Sequence, residues 1–192
     1  MKNIILKLTI VLLSLCFSQT IIAQKRTEGE YVKNDWLDKF VGTWEWQNGS
    51  EVFRIVLSKQ KLATYDWYGY QVNYYRDVLV GWHFYRNNSG LVESTMDKSG
   101  MIFTEVVGAI KNSSIYGGAS RSPEYARFTV KDITKNKKGE GRIEMLPGKT
   151  DEARWTLKNP EGVHVITPDS PMPPPGFTLP TDVIMRKVPD VI

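Results

Sequence analysis

FVGTWEWQNGSEVFRIVL, residues 40–57, is the stretch that decides the fold. Two alternating runs flank Asn48-Gly49, the dipeptide that best tolerates the positive φ angles of a type I′ hairpin turn. Before the turn, Gly42, Trp44 and Trp46 share one face of a strand; after it, Phe53, Ile55 and Leu57 share one face of the next. The stretch predicts a β-hairpin that aims large apolar side chains at a core and leaves edges for later strands.

Those later strands follow in short alternating runs. In Asp77–Tyr85, Val78, Val80, Trp82 and Phe84 form the face expected to point inward, opposite Asp77, His83 and Tyr85. Leu91–Met96 and Met101–Val107 predict a second hairpin through Asp97–Gly100, and Ser113–Pro123 reads as loop. Arg127–Asp132, Gly141–Leu146, Ala153–Leu157 and Val183–Val188 supply further strands, with Phe128, Val130, Trp155 and Leu157 facing in. Thr167–Gly176 is Pro-rich and predicts a stiff, extended connection. Asp35–Phe40 fits one helical turn, with Trp36 and Phe40 on one side to plug a sheet end. No long amphipathic helix is legible after residue 40. The reading is all-β: an antiparallel up-and-down meander of about eight to ten strands, closed or nearly closed as a barrel.

Of the 192 residues, 41% are hydrophobic and 11% aromatic, enough for one cored domain. Lys2 and Lys7, the apolar run Leu8–Cys16 and the small residue Ala23 give residues 1–23 the layout of a secretory signal peptide. Residues 24–39 then form a flexible leader with the possible helical turn, and residues 40–192 form the single β-barrel domain. The expected destination is export, periplasmic or secreted, with no membrane insertion after cleavage. Lipid anchoring at Cys16 is not expected, because Leu15 precedes the cysteine where a small residue would be needed. Cys16 is the single cysteine, so no disulfide is expected in the mature chain. The net charge of +4 includes both signal lysines, and the near-balanced remainder gives no reason for a nucleic-acid partner.

Phe40-Val41-Gly42-Thr43-Trp44 resembles the opening of the lipocalin and fatty-acid-binding protein superfamily, where a Gly-x-Trp motif begins the first barrel strand. That resemblance implies Gly42 and Trp44 at a closed barrel base, with a late basic residue, Arg186, packed on the tryptophan. The Asn-Gly turn departs from fatty-acid-binding proteins, which place two helices there, and their Arg-x-Tyr carboxylate clamp is not matched by Val183–Lys187. The whole chain also resembles small secreted bacterial lipocalin-like (calycin-type) families of unknown function. These open with Gly-Thr-Trp and close with a Phe-Thr-Leu-Pro strand, as in Gly42–Trp44 and Phe177–Pro180. The resemblance implies a fold and no particular activity.

Candidate chemistry is sparse. Tyr65, Trp67 and Tyr70, from the aromatic run Tyr65–Tyr75, read either as barrel wall or as a stacking platform. With Trp82 and Phe84 they are the candidate ligand contacts, and Pro168–Gly176 is placed with the aromatic run at the rim of one mouth. The two histidines, His83 and His164, stand apart from other metal ligands and read as exposed strand residues, so no metal is expected. Glu93 and Glu105 read as solvated glutamates on adjacent strands, and no nucleophile elbow accompanies a serine. Gly148-Lys149-Thr150 lacks the upstream glycine of a phosphate loop, and Lys131–Arg142 reads as a charged hairpin tip. The expectation is a non-enzymatic protein without cofactor that binds a small apolar or amphipathic ligand. The alternative is a surface or periplasmic interaction module that meets a protein or glycan through an outer aromatic face. Oligomeric state is not legible.

Overall fold

The computed structural model describes residues 28–65, 71–118, 122–160 and 174–189. Its elements run β1 (Glu30–Val32), a 3-10 helix (Asp35–Phe40), β2 (Gly42–Asn48), β3 (Glu51–Tyr65), β4 (Val72–Asn87) and β5 (Gly90–Ser94). A 3-10 turn (Met96–Lys98), α1 (Val106–Asn112), β6 (Ile115–Gly117), β7 (Tyr125–Asp132), β8 (Lys137–Met145), β9 (Glu152–Lys158) and β10 (Asp182–Val188) follow. The ring order is β4-β3-β2-β10-β9-β8-β7-β6, and β6 pairs back onto β4 to close an eight-stranded antiparallel barrel. The closed meander expected from the sequence is therefore present. Within the expected leader, β1 pairs parallel with Tyr74–Arg76 of β4, so that part is ordered.

The opening hairpin has the expected faces, with Trp44 opposite Ile55 and Trp46 opposite Phe53. Its turn sits one residue later than the Asn-Gly reading. Asn48 pairs with Glu51, and the positive φ falls on Gly49 alone, at 62°. Positive φ at the first of two loop residues is the type II′ pattern.

Both barrel ends are plugged. At the base, the 3-10 helix buries Leu37 and Phe40, spaced for a three-residue turn, while Trp36 is left 51% exposed. Trp44 is fully buried above them and donates its Nε1 hydrogen to Phe40 O (2.9 Å). Along the axis, Trp155 contacts Phe53 (5.6 Å between ring centroids, 60°) and stacks on Phe128 (6.4 Å). Gly141 makes room for this tryptophan: a Cβ there would meet Val130 at 2.5 Å and Trp155 at 3.1 Å. At the mouth, Leu179 is buried in the core with Phe177 packed beside it, and Trp155 Nε1 donates to Pro180 O (3.1 Å). Phe177–Pro180 is thus a plug outside the strands rather than the closing strand the resemblance implied.

The faces of β4 are opposite to the sequence expectation. Leu79 and Tyr85 join the barrel core, together with Phe53, Ile55, Phe128, Val130, Trp155 and Leu157, while Val78, Val80 and Trp82 form a second cluster on the outer surface. That outer cluster is covered by Phe103 and Ala109. The predicted Met101–Val107 strand does not form either. After an isolated bridge between Ala63 and Glu105, the chain turns into α1. Residues 95–112 therefore lie as a flap over the outer face of β3 and β4.

Candidate functional site

Those of the proposed contacts that lie among the described residues do not converge. Tyr65 pairs with Val72 at one end of the long β3–β4 ladder, whereas Phe84 pairs with Arg54 twelve positions along β4, about 40 Å of strand away. Trp82 is fully buried beneath the flap, its Nε1 without a partner among the described residues, and Phe84 is half-buried on the same outer face. Trp67, Tyr70 and His164 lie outside the described residues. At the base, Arg186 is exposed and pairs with Glu152 (3.2 Å), while Lys187 stands over the Trp44 ring at 5.5 Å and donates to Lys39 O (3.3 Å). Lys187 thus occupies the place the resemblance gave to Arg186. Gly42 sits under that lysine with φ 115°, and a Cβ there would meet Lys187 Cε at 2.9 Å.

His83 and Glu93 are buried, not solvated strand residues. Register places His83 opposite Ile55, hence on the inner face of β4. Its Nε2 meets Glu93 Oε1 at 2.5 Å and its Nδ1 meets Ser114 Oγ at 3.0 Å. Ser114 Oγ also lies 2.9 Å from Thr95 Oγ1 and 3.3 Å from Gly81 O. Glu93 accepts backbone hydrogens from Ile133 (3.3 Å) and Thr134 (2.9 Å) in the β7–β8 turn. Burial pushes the Glu93 carboxyl up, but the bonds from His83 and Thr134 outweigh it and hold it at about 2. Hydroxyl, imidazole and carboxylate in a row is the order of groups used in acyl transfer. Here Ser114 is 3% exposed and its oxygen is engaged on several sides, so a substrate carbonyl does not reach it in this conformation. Glu105 is elsewhere, at the N-cap of α1. Among the described residues, no group of three or more His, Cys, Asp or Glu side chains is placed to hold a metal ion.

Beside this network, at the mouth end, an open cleft of about 930 Å³ is lined by Ile133, Asn136, Lys138, Asn159, Pro160, Pro174 and Pro175, with Lys131, Asp132 and Lys137. Much of its charge is already committed. Lys137 Nζ donates to Pro174 O (3.0 Å), Gly176 O (2.9 Å) and Asn159 Oδ1 (3.1 Å). Asp132 accepts from Lys135 N (2.9 Å) and Thr178 N (2.6 Å), which fastens the plug to the β7–β8 turn. Lys138 is exposed and makes no ion pair among the described residues. Of the expected Pro-rich rim, Pro174 and Pro175 line the cleft, and residues 168–173 lie outside the described residues. Tyr65, at the far end of β3, does not rim the cleft. That Asn159 neighbours Ile133 and Asn136 was not legible in the sequence, since it follows β9 while the other two share the β7–β8 turn.

The model of a family of unknown function, DUF6705, matches residues 1–188, and the chain belongs to that family. No curated protein and no solved structure matches it.

Proposed function

We propose that the protein is an exported, lipocalin-like binding protein that holds a small amphipathic molecule at the rim of its barrel mouth instead of inside the barrel. The observation that carries this reading is the mouth cleft, open beside an axis filled by Trp44, Phe53, Phe128 and Trp155. Ile133, Pro160, Pro174 and Pro175 offer an apolar floor, Asn136 and Asn159 offer amides, and Lys138 offers an uncommitted ammonium. A mostly apolar concavity with a few orienting polar groups is the usual form of a small-molecule site. An alkyl or aryl body carrying one carboxylate or sulfonate fits that set.

The test is a calorimetric titration with dodecanoate and with anilinonaphthalene sulfonate. Saturable binding is expected, weakened about tenfold by Lys138→Glu or Ile133→Asp, as the loss of one charge contact or one apolar contact implies. Trp155 emission should stay unchanged, because the ligand does not enter the barrel. Absence of saturation, or binding indifferent to both substitutions, would overturn the reading.

A further inference from the structure

We propose that the outer side of the flap, residues 101–111, seats the protein on an anionic lipid surface. The flap already has one buried apolar side, where Phe103 and Ala109, with Met96 and Val106 beside them, cover Leu62, Val78, Val80 and Trp82. Gln60 pins it, donating from Nε2 to Met101 O (2.8 Å) and accepting at Oε1 from Phe103 N (2.9 Å). Held on either side of its own position, Ile102 is thrust outward and is 80% exposed. Met101 (40%), Val107 (49%) and Ile110 (40%) are exposed on the same segment, the last two spaced to share a face of α1. Packing accounts for the inner side of the flap. It does not account for a second apolar side facing solvent.

Charge selects the partner. Lys131 Nζ closes the C-terminal end of α1 by donating to Ile110 O (2.5 Å), Lys111 O (3.0 Å) and Ser113 O (2.8 Å). Lys98 and Lys138 are close enough to repel that ammonium, and Lys111 is exposed at the same helix end. On the flap itself the carboxylates are Asp97, exposed beside Lys98, and Glu105, half-buried at the start of α1, while Glu93 and Asp132 beside Lys131 are buried. Two copies of the chain meeting through this patch would set lysines against lysines. An anionic bilayer offers hydrocarbon and negative charge together, the combination that holds peripheral proteins at an interface. Among the described residues no helix is long and apolar enough to cross a membrane, so the contact is one of surface seating.

Flotation with vesicles of phosphatidylcholine alone and of phosphatidylcholine mixed with phosphatidylglycerol tests this. The chain should float with the anionic vesicles and be released by high salt. Ile102→Asp should weaken partitioning about tenfold or more, the scale expected for one exposed isoleucine. The pair Lys98→Glu and Lys111→Glu should do the same, at about fivefold or more per lysine. Ile184→Asp, an exposed isoleucine on β10, should change nothing, and matched thermal melts would show that the variants fold. Equal flotation with neutral vesicles, indifference to Ile102→Asp, or no flotation at all would overturn the proposal. So would a dimer in sedimentation that Ile102→Asp dissolves. The mouth-cleft titrations use other substitutions and a soluble ligand, so either proposal can fail alone.

Discussion

Trp44 shows what one residue does at the base. It is fully buried, its ring lies under Lys187, and its indole nitrogen is satisfied by Phe40 O. Trp44→Ala should therefore cost about 3–5 kcal/mol, the lost transfer energy plus a cavity that plugged walls cannot collapse into. Urea melts of the variant would check this, and an unchanged midpoint would contradict the burial. Lys187→Ala should cost about 0.5–2 kcal/mol through its cation–π contact. Arg186→Ala should stay within about 0.5 kcal/mol, as expected for an exposed ion pair. Trp44 was legible because alternation around Gly42 and Trp46 puts it on a defined face. The choice between Arg186 and Lys187 was not, since it depends on the β2–β10 register, and a slip of one residue exchanges the faces.

Among the elements, β4 and the flap account for most of the departure from the sequence reading. Val78, Val80, Trp82 and Phe84 look like a core face beside a set that includes Asp77, Gly81 and His83. Alternation reports that one face is more apolar, not which side the barrel lies on. Both faces of β4 are buried, one by the barrel and one by residues 95–112, and the more apolar face went to the flap. The predicted strand Met101–Val107 failed for the same reason: its Phe103 and Val106 cover an existing face rather than pair with an edge. A seven-residue helix such as α1 is too short to show a helical period. Gln60, half-hidden between Lys59 and Lys61 in sequence, is the pin. Gln60→Ala leaves the Met101 carbonyl and the Phe103 amide without partners and should cost about 1–3 kcal/mol. Hydrogen exchange should show the loss as faster exchange confined to residues 95–112, with protection of β8 and β9 unchanged. Uniformly faster exchange would mean that the flap is part of the barrel's own cooperative unit.

For the whole molecule, the question is how the barrel stays closed. The β4–β6 ladder is short: Leu79, Val80 and Gly81 pair with Gly117, Tyr116 and Ile115. Towards the mouth β4 pairs with β5 instead, so no ladder joins it to β7 there. The buried network spans that gap. His83 of β4 meets Glu93 of β5 and Ser114 just before β6, and Glu93 reaches the backbone of the turn that follows β7. Little of this was legible in an isolated histidine and glutamate: the β4–β5 hairpin sets Glu93 beside His83, but Ser114 and the Ile133 and Thr134 amides reach them only through closure. The consequence is a pH dependence with a definite sign. The carboxyl of Glu93 is held at about 2 in the fold, below its ordinary value near 4.5. A lowered folded pKa contributes stability that is complete above the unfolded value and is lost as pH falls towards the folded one. Asp35 and Asp182 are also held low, by Lys33 and Arg154, but both are exposed and solvent screens their share. Resistance to urea should therefore fall as pH drops from about 5 to about 2, through protonation of Glu93. Glu93→Gln should melt earlier at pH 7, by roughly 1–3 kcal/mol for the charge-assisted hydrogen bonds it weakens, and should lose most of that acid slope. In acid the parent should lose hydrogen-exchange protection first in β5 and β6, where the seam opens, and last in β3 and β9. A variant that keeps the parent's slope would show that another carboxylate holds the seam.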